Sequence, residues 1–306
     1  MGGMWQPDPA WTPLPAGGGP ATVGVWRAVH EGTAAVVKRL GRPGPDDQPL
    51  LEDRAHAGYW RREAEVAMSS EVVDGPGLVP PRYLRCDEDE DGITLWSEQV
   101  VAEPPTSLLV ARSLGRFAGA PYDEPAWAAR RTLTDRLAIA ESRGGWPTLE
   151  RTTLADVAAH LWSNRARLLA ARDEAPRGRV HGDAVPANFV ATRGDAVVAV
   201  DWQGFGVGAV GTDLGYYALS AREDFEVLLA TFLDGVVESG GSPDPAAVRT
   251  AATVMAVYTV FSRAEWALSR VAGGEGALAG KFGHPSVAPH LRALQRQAPQ
   301  IESLLG

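Results

Sequence analysis

Cysteine and lysine are the two residues this chain almost does without. One cysteine, Cys86, stands among 306 residues. It excludes an internal disulfide and any zinc site built from several thiolates, and it suits a reducing compartment. Long apolar runs are missing too. The longest uncharged apolar stretch, Thr250 to Ser262, is too short to cross a bilayer. Met1 to Pro20 lacks the basic and apolar regions of a secretory leader, and Gln6 breaks the myristoylation pattern. A soluble, cytoplasmic protein that uses no membrane is expected. Positive charge is in deficit, with 29 Lys and Arg against 38 Asp and Glu and a net charge of -9. Nucleic acid is therefore not an expected partner, whereas a cationic small molecule suits the balance.

Only Lys38 and Lys281 among the basic residues are lysine; the others are arginine. Together with 34 Gly and 23 Pro, this reads as a composition in which arginine replaces lysine wherever positive charge suffices. A lysine that persists points to a need for an ammonium rather than a guanidinium. What is present otherwise is globular: 45% hydrophobic and 22% charged residues exclude extensive disorder. The length allows one full catalytic core or two modest lobes.

Residues 20–100 read as a small lobe of strands with one helix. Val23–Val29 and Thr33–Leu40 form a hairpin about the turn His30-Glu31-Gly32. Leu51–Val72 has a helical apolar pattern, and Arg82–Cys86 and Ile93–Val100 read as two further strands. Past Glu103-Pro104-Pro105, helices dominate: Ser107–Ala118, Pro125–Ser142, Leu154–Arg172, Asp224–Ser239, Asp244–Val271 and Pro289–Leu305. Two short strands, Phe189–Ala191 and Ala196–Val200, interrupt them. The fold class is therefore α+β and bilobal, with a β-rich lobe over residues 1–100 and a larger helical lobe over residues 101–306.

Chemistry concentrates in His181-Gly182-Asp183-Ala184-Val185-Pro186-Ala187-Asn188 and the strand ending Val200-Asp201-Trp202. A hairpin over this segment brings Asn188 and Asp201 together. One amide and one carboxylate oxygen suit Mg2+, which takes few protein ligands and keeps phosphate oxygens and water. Asp183 stays free to receive a proton or orient a nucleophile. An Asp, an Asn five residues on and a later strand-end Asp match the kinase template. With Gly182 where protein kinases carry arginine, the segment resembles the aminoglycoside phosphotransferase and choline kinase-like superfamily of small-molecule kinases.

That resemblance implies a protein-kinase-like fold with Mg2+ and with ATP or GTP as co-substrate. It implies a hydroxylated small-molecule acceptor, led by amino sugars, aminoglycoside-like antibiotics and amino alcohols. Lys38 in Val36-Val37-Lys38 would pair the α- and β-phosphates and a helix glutamate, for which Glu63 fits the pattern better than Glu65. The backbone of Leu95 to Val100, Glu98 and Val100 included, would hold the adenine edge. Gly17 to Gly19 would begin the phosphate loop. Asp183 would be catalytic, His181 would brace its loop, Asn188 and Asp201 would hold the metal, and Asp213 would hold the loop's backbone. Glu265 and Trp266 lie on a late helix where such enzymes often draw substrate residues, although packing explains each of them more simply. Packing is also the reading of the Trp-rich N-terminus.

Rival readings are a catalytically silent nucleotide-binding pseudokinase, a protein kinase and an NAD-linked oxidoreductase. The last would use Gly206-Val207-Gly208-Ala209-Val210-Gly211, which satisfies G-x-G-x-x-G. The five residues Asp201 to Phe205 separate the preceding strand from that run, and no alternating strand–helix pattern precedes it. It is read as a flexible turn.

Overall fold

The computed structural model describes residues 5–15, 19, 21–45, 47–272 and 283–305. Its first part is a five-stranded antiparallel sheet of β1 (Thr12–Pro13), β2 (Thr22–His30), β3 (Thr33–Gly41), β6 (Gly92–Glu98) and β5 (Tyr83–Glu88), in that spatial order. Glu31 and Gly32 both take positive φ, 50° and 79°, and so close the β2–β3 hairpin in two residues. Alternation along β3 divides the lobe's chemistry. Lys38 pairs across the sheet with Val25 and Leu95, so these three share one face. Val37 pairs with Trp26 and Trp96 on the other face, where Trp5 and Trp11 pack over them. The N-terminal tryptophans thus close the outer side of the sheet.

Below the Lys38 face lies α1 (Arg62–Met68), much shorter than the apolar pattern of Leu51–Val72 predicts. Side chains compete with the helix before Arg62: Asp53 accepts from the Ala55 amide and His56 Nδ1 from the Gly58 amide. The following β4 (Leu78–Val79) leaves the sheet and pairs in parallel with Val197–Val198.

The second part is helical. It contains α2 (Ser107–Gly119), α3 (Thr132–Ser142), α4 (Ala155–Ser163), α5 (Arg165–Arg172), α6 (Thr212–Ala218), α7 (Phe225–Glu238) and α8 (Pro245–Ala272). Helices Ala288–Arg296 and Ala298–Leu305 follow. α8 forms the centre, with Val254, Val257, Tyr258 and Phe261 all buried. Three expected long helices are interrupted, and Pro289–Leu305 is one of them, dividing at Gln297. Asn164 Nδ2 takes the His160 carbonyl at 3.0 Å and separates α4 from α5. Residues 125–131 stay irregular because Ala129 gives both its backbone groups to the segment Phe205–Val207.

Small strands support the central loops. β8 (Phe189–Arg193) pairs with β9 (Ala196–Ala199), and β7 (Arg177–Val180) pairs antiparallel with β10 (Gly206–Ala209). The sequence reading of residues 206–211 as a flexible turn is therefore corrected: they begin as a buried strand. The antiparallel pairing also removes the strand–helix–strand context a dinucleotide fingerprint requires.

Candidate active site

The cleft between the two parts encloses about 510 Å³. From β3, Lys38 Nζ reaches Glu63 Oε2 of α1 at 2.5 Å and Asp201 Oδ1 at 2.7 Å. Burial opposes the Lys38 charge, but the Glu63 and then the Asp201 carboxylate overcome it and hold its pKa above the ordinary value. The Glu63 carboxyl is itself pushed up by burial, against the pull of Lys38. Glu65 points elsewhere, 3.7 Å from Arg61 Nε.

Arg62, next to Glu63, is fully buried and makes no ion pair with it. Its five N–H groups meet the carbonyls of Trp127, Ala57, Gln203, Arg54 and His56 at 2.6–3.0 Å. Burial lowers its pKa to about 10. The Gln203 contact ties α1 to the backbone two residues beyond Asp201. Asp201 itself stands in the left-handed region at φ 63°, ψ 57°, a conformation that a non-glycine residue keeps only when its surroundings enforce it.

Opposite lies the loop from His181 to Asn188. Asp213, at the start of α6, accepts the His181 amide at 2.6 Å and the Gly182 amide at 3.0 Å. Burial raises the Asp213 pKa against the pull of His181 and these two amides. His181 is fully buried against Trp202, with its ring 4.6 Å from the indole. Its Nε2 meets the Val200 carbonyl at 2.9 Å, and a carbonyl only accepts. Nε2 therefore carries the proton, leaving Nδ1 to accept the Asp183 amide at 3.3 Å. Gly182 has φ +80°, and a Cβ there would lie 1.9 Å from the Gly204 carbonyl oxygen. No larger side chain fits at this position.

Both carboxylate oxygens of Asp183 are held. Asn188 Nδ2 donates to Oδ2 at 3.0 Å and to the Asp183 carbonyl at 2.9 Å, while Tyr216 Oη donates to Oδ1 at 2.8 Å. Sequence reasoning missed Tyr216. Its signal was its place three residues after Asp213, hence on the same face of α6. The apolar walls were missed as well: Val25 and Val36 from one lobe, Val190 and Val200 from the other.

Glu98 and Val100 line the rim of the cleft. The Glu98 side chain is committed to Arg193 and the Arg82 amide, and its own amide donates to the Arg82 carbonyl at 2.9 Å. The Val100 amide has no hydrogen-bond partner among the described residues. Gly17, Gly18 and Lys281 fall outside the described residues. Gly19 packs against the Gln203 side chain, just past Asp201. Glu265 turns into the protein, to Arg143 at 3.2 Å and Thr148 at 3.4 Å, and Trp266 lies on the surface. Neither lines the cleft.

A hard divalent cation fits the residues present. Asn188 offers its amide oxygen, because its nitrogen is used by Asp183, and Asp201 offers a carboxylate. Lys38 brings one positive charge against Glu63, Asp201 and Asp183, so the cleft has an excess of negative charge. Among the described residues no cluster of three or more His, Cys, Asp or Glu could complete a metal shell. This donor set suits an ion that takes its remaining ligands from phosphate and water.

The model of the phosphotransferase enzyme family matches residues 22–250. Among solved structures, the chain is similar to a choline/ethanolamine kinase family protein from Mesorhizobium loti, at 18% identity and TM-score 0.55, covering 93% of this chain and 92% of that one. It is similar to the choline kinase LicA from Streptococcus pneumoniae, at 15% identity and TM-score 0.56, covering 92% and 95%. It is also similar to the amicoumacin kinase hAmiN, in complex with AMP-PNP, Ca2+ and Ami, at 13% identity and TM-score 0.57, covering 96% and 88%. These likenesses establish the bilobal, protein-kinase-like fold. No curated protein sequence matches the chain.

Proposed function

The chain belongs to the phosphotransferase enzyme family, and on that premise we propose that it moves the γ-phosphate of ATP or GTP to a hydroxyl of a small molecule. The observation that carries this reading is Lys38, held 2.5 Å from Glu63 and 2.7 Å from Asp201 in the cleft that also contains Asp183 and Asn188. The AMP-PNP and Ca2+ of the amicoumacin kinase structure support a nucleotide and a divalent cation. Residues 1–100 form the nucleotide-binding lobe, and residues 101–306 carry the catalytic loop and the acceptor site. The resemblance nominates amino sugars, aminoglycoside-like antibiotics and amino alcohols as acceptors.

In this reading the base lies between Val25 and Val36 above and Val190 and Val200 below. The Glu98 carbonyl and the Val100 amide hold its edge. The Lys38 ammonium meets the α- and β-phosphates. Asn188 and Asp201 would hold Mg2+, which when bound neutralises phosphate charge. Asp183 aligns the acceptor hydroxyl for in-line attack. The acceptor O–P bond forms as the bond from the γ-phosphorus to the β–γ bridging oxygen breaks, and the nucleoside diphosphate leaves with that electron pair. The hydroxyl proton passes to Asp183 and then to solvent. Such a transition state is loose, so positioning and charge dominate over proton abstraction. His181 and Asp213 are positioning residues that fix the loop under Asp183.

Thermal denaturation tests the nucleotide half of this reading, since a ligand that binds only the folded protein raises its apparent stability. Mg-ATP or Mg-GTP should raise Tm and NAD should not. The reverse result overturns the proposal.

A further inference from the structure

The ring of Tyr216, which holds Asp183, is in contact with two guanidinium groups. Arg263 Cζ of α8 stands 4.4 Å from the centre of its ring and Arg136 Cζ of α3 stands 5.4 Å from it. Neither arginine forms an ion pair with a carboxylate among the described residues. Elsewhere in this acidic chain arginines pair freely, as Arg39 does with Asp89, Arg61 with Glu88, Arg112 with Glu238 and Arg249 with Glu226. Arg136 Nη1 is buried without a hydrogen-bond partner among the described residues. A buried donor left unmade is costly, and contact with an aromatic ring does not neutralise a guanidinium. The nearby carboxylates are engaged: Asp183 by Tyr216 and Asn188, and Glu265 by Arg143 and Thr148. His290 adds no acid. Burial, together with the charge of Arg263, holds its pKa below the ordinary value and favours the neutral ring. The surroundings of Tyr216, and through it of Asp183, thus carry two guanidinium charges with no carboxylate partner among the described residues, one of them with an unpaired donor.

We infer that the acceptor carries an anionic oxygen group, a carboxylate or a phosphate, which Arg136 and Arg263 bind while its hydroxyl lies at Asp183. Guanidinium forks suit such groups, pairing two N–H donors with two oxygens. The inference rests on the phosphotransferase reading and replaces its acceptor class. A purely cationic aminoglycoside or amino alcohol would meet like charge beside Tyr216. The net charge of -9 does not decide the matter, because these two arginines put positive charge beside Tyr216 whatever the total of the chain.

A nucleoside-diphosphate release screen separates the classes. Hydroxy acids and sugar phosphates form one arm, and amino alcohols, amino sugars and neutral polyols form the other. Turnover is expected in the first arm, with hydroxy acids against sugar phosphates telling carboxylate from phosphate. Arg263→Gln and Arg136→Gln should each raise the acceptor KM by about tenfold or more, with the nucleotide KM unchanged. Arg263→Lys, which keeps the charge, should retain part of the affinity. If the arginines only steady Tyr216, kcat falls for every acceptor whatever its charge, and the inference fails. Turnover confined to amines overturns it while leaving the phosphotransferase reading intact. Calorimetric titration with inorganic sulfate, in the presence of saturating Mg-ADP, tests the site without turnover. Binding that the Arg136→Gln/Arg263→Gln double variant loses supports the inference. No binding, or binding the double variant keeps, overturns it.

Discussion

The two walls of the cleft hold their decisive groups by different physics. Lys38 is fixed by charge: a flexible four-carbon stem ends between two carboxylates, at 2.5 and 2.7 Å. Asp183 is fixed by hydrogen bonds to a rigid frame. Asp213 binds the backbone of the loop, His181 is locked in one tautomer beneath it, and Asn188 and Tyr216 occupy both carboxylate oxygens. An ion cluster can exchange one partner for a phosphate oxygen without rebuilding the fold. A loop pinned through backbone amides cannot, and it suits a group that must hold one position through the transition state. Arg62 links the two walls, since it joins α1, which bears Glu63, to the Gln203 carbonyl beyond Asp201.

The largest test of this contrast is Asp183→Ala. It should lower turnover by about 10³- to 10⁴-fold in a diphosphate-release assay, with nucleotide affinity by calorimetry nearly unchanged. An active variant would remove Asp183 from its role. Lys38→Arg comes next. It conserves charge, but a planar fork cannot occupy the point between Glu63 and Asp201, and a loss of about 10²-fold in kcat/KM is expected. Near-normal activity would show that charge alone is enough on that wall. Gly182→Ala strikes the frame instead, through a Cβ 1.9 Å from the Gly204 oxygen. It should cost about 2–3 kcal/mol of stability in a denaturant titration. Tyr216→Phe removes one donor from Asp183 and should lower kcat about tenfold with an unchanged Tm. Lys281→Arg is the smallest change, with turnover within about twofold. A large effect there would break the distinction between the two lysines.

Much of this site is local enough to read from the sequence. Asp183 and Asn188 share one short loop, and Asp201 ends the hairpin that follows, so chain connectivity alone brings them near each other. The strand hairpin that carries Lys38 is equally plain, because its alternation and its turn signal are short-range features, although the structure closes it with Glu31 and Gly32 alone and keeps His30 in the strand. The failures share a cause. The pattern of Leu51–Val72 is helical, yet Asp53 and His56 capture nearby amides and Arg62 draws the carbonyls of Arg54, His56 and Ala57 to itself. Residues 206–211 have the composition of a turn, yet β10 begins there because β7 supplies an antiparallel partner.

The sequence by itself determined the two-part α+β organisation, the kinase-type spacing of Asp183, Asn188 and Asp201, and the singling out of Lys38. Each depends on residue types and short separations along one strand, loop or helix. Only the tertiary structure decided that Arg62 ties α1 to the Gln203 carbonyl, that Tyr216 braces Asp183, and that Arg136 and Arg263 from two distant helices contact the Tyr216 ring. Those relations join residues far apart in the chain. They are fixed by which faces pack together and which buried charges find partners, and neither quantity is written in local sequence.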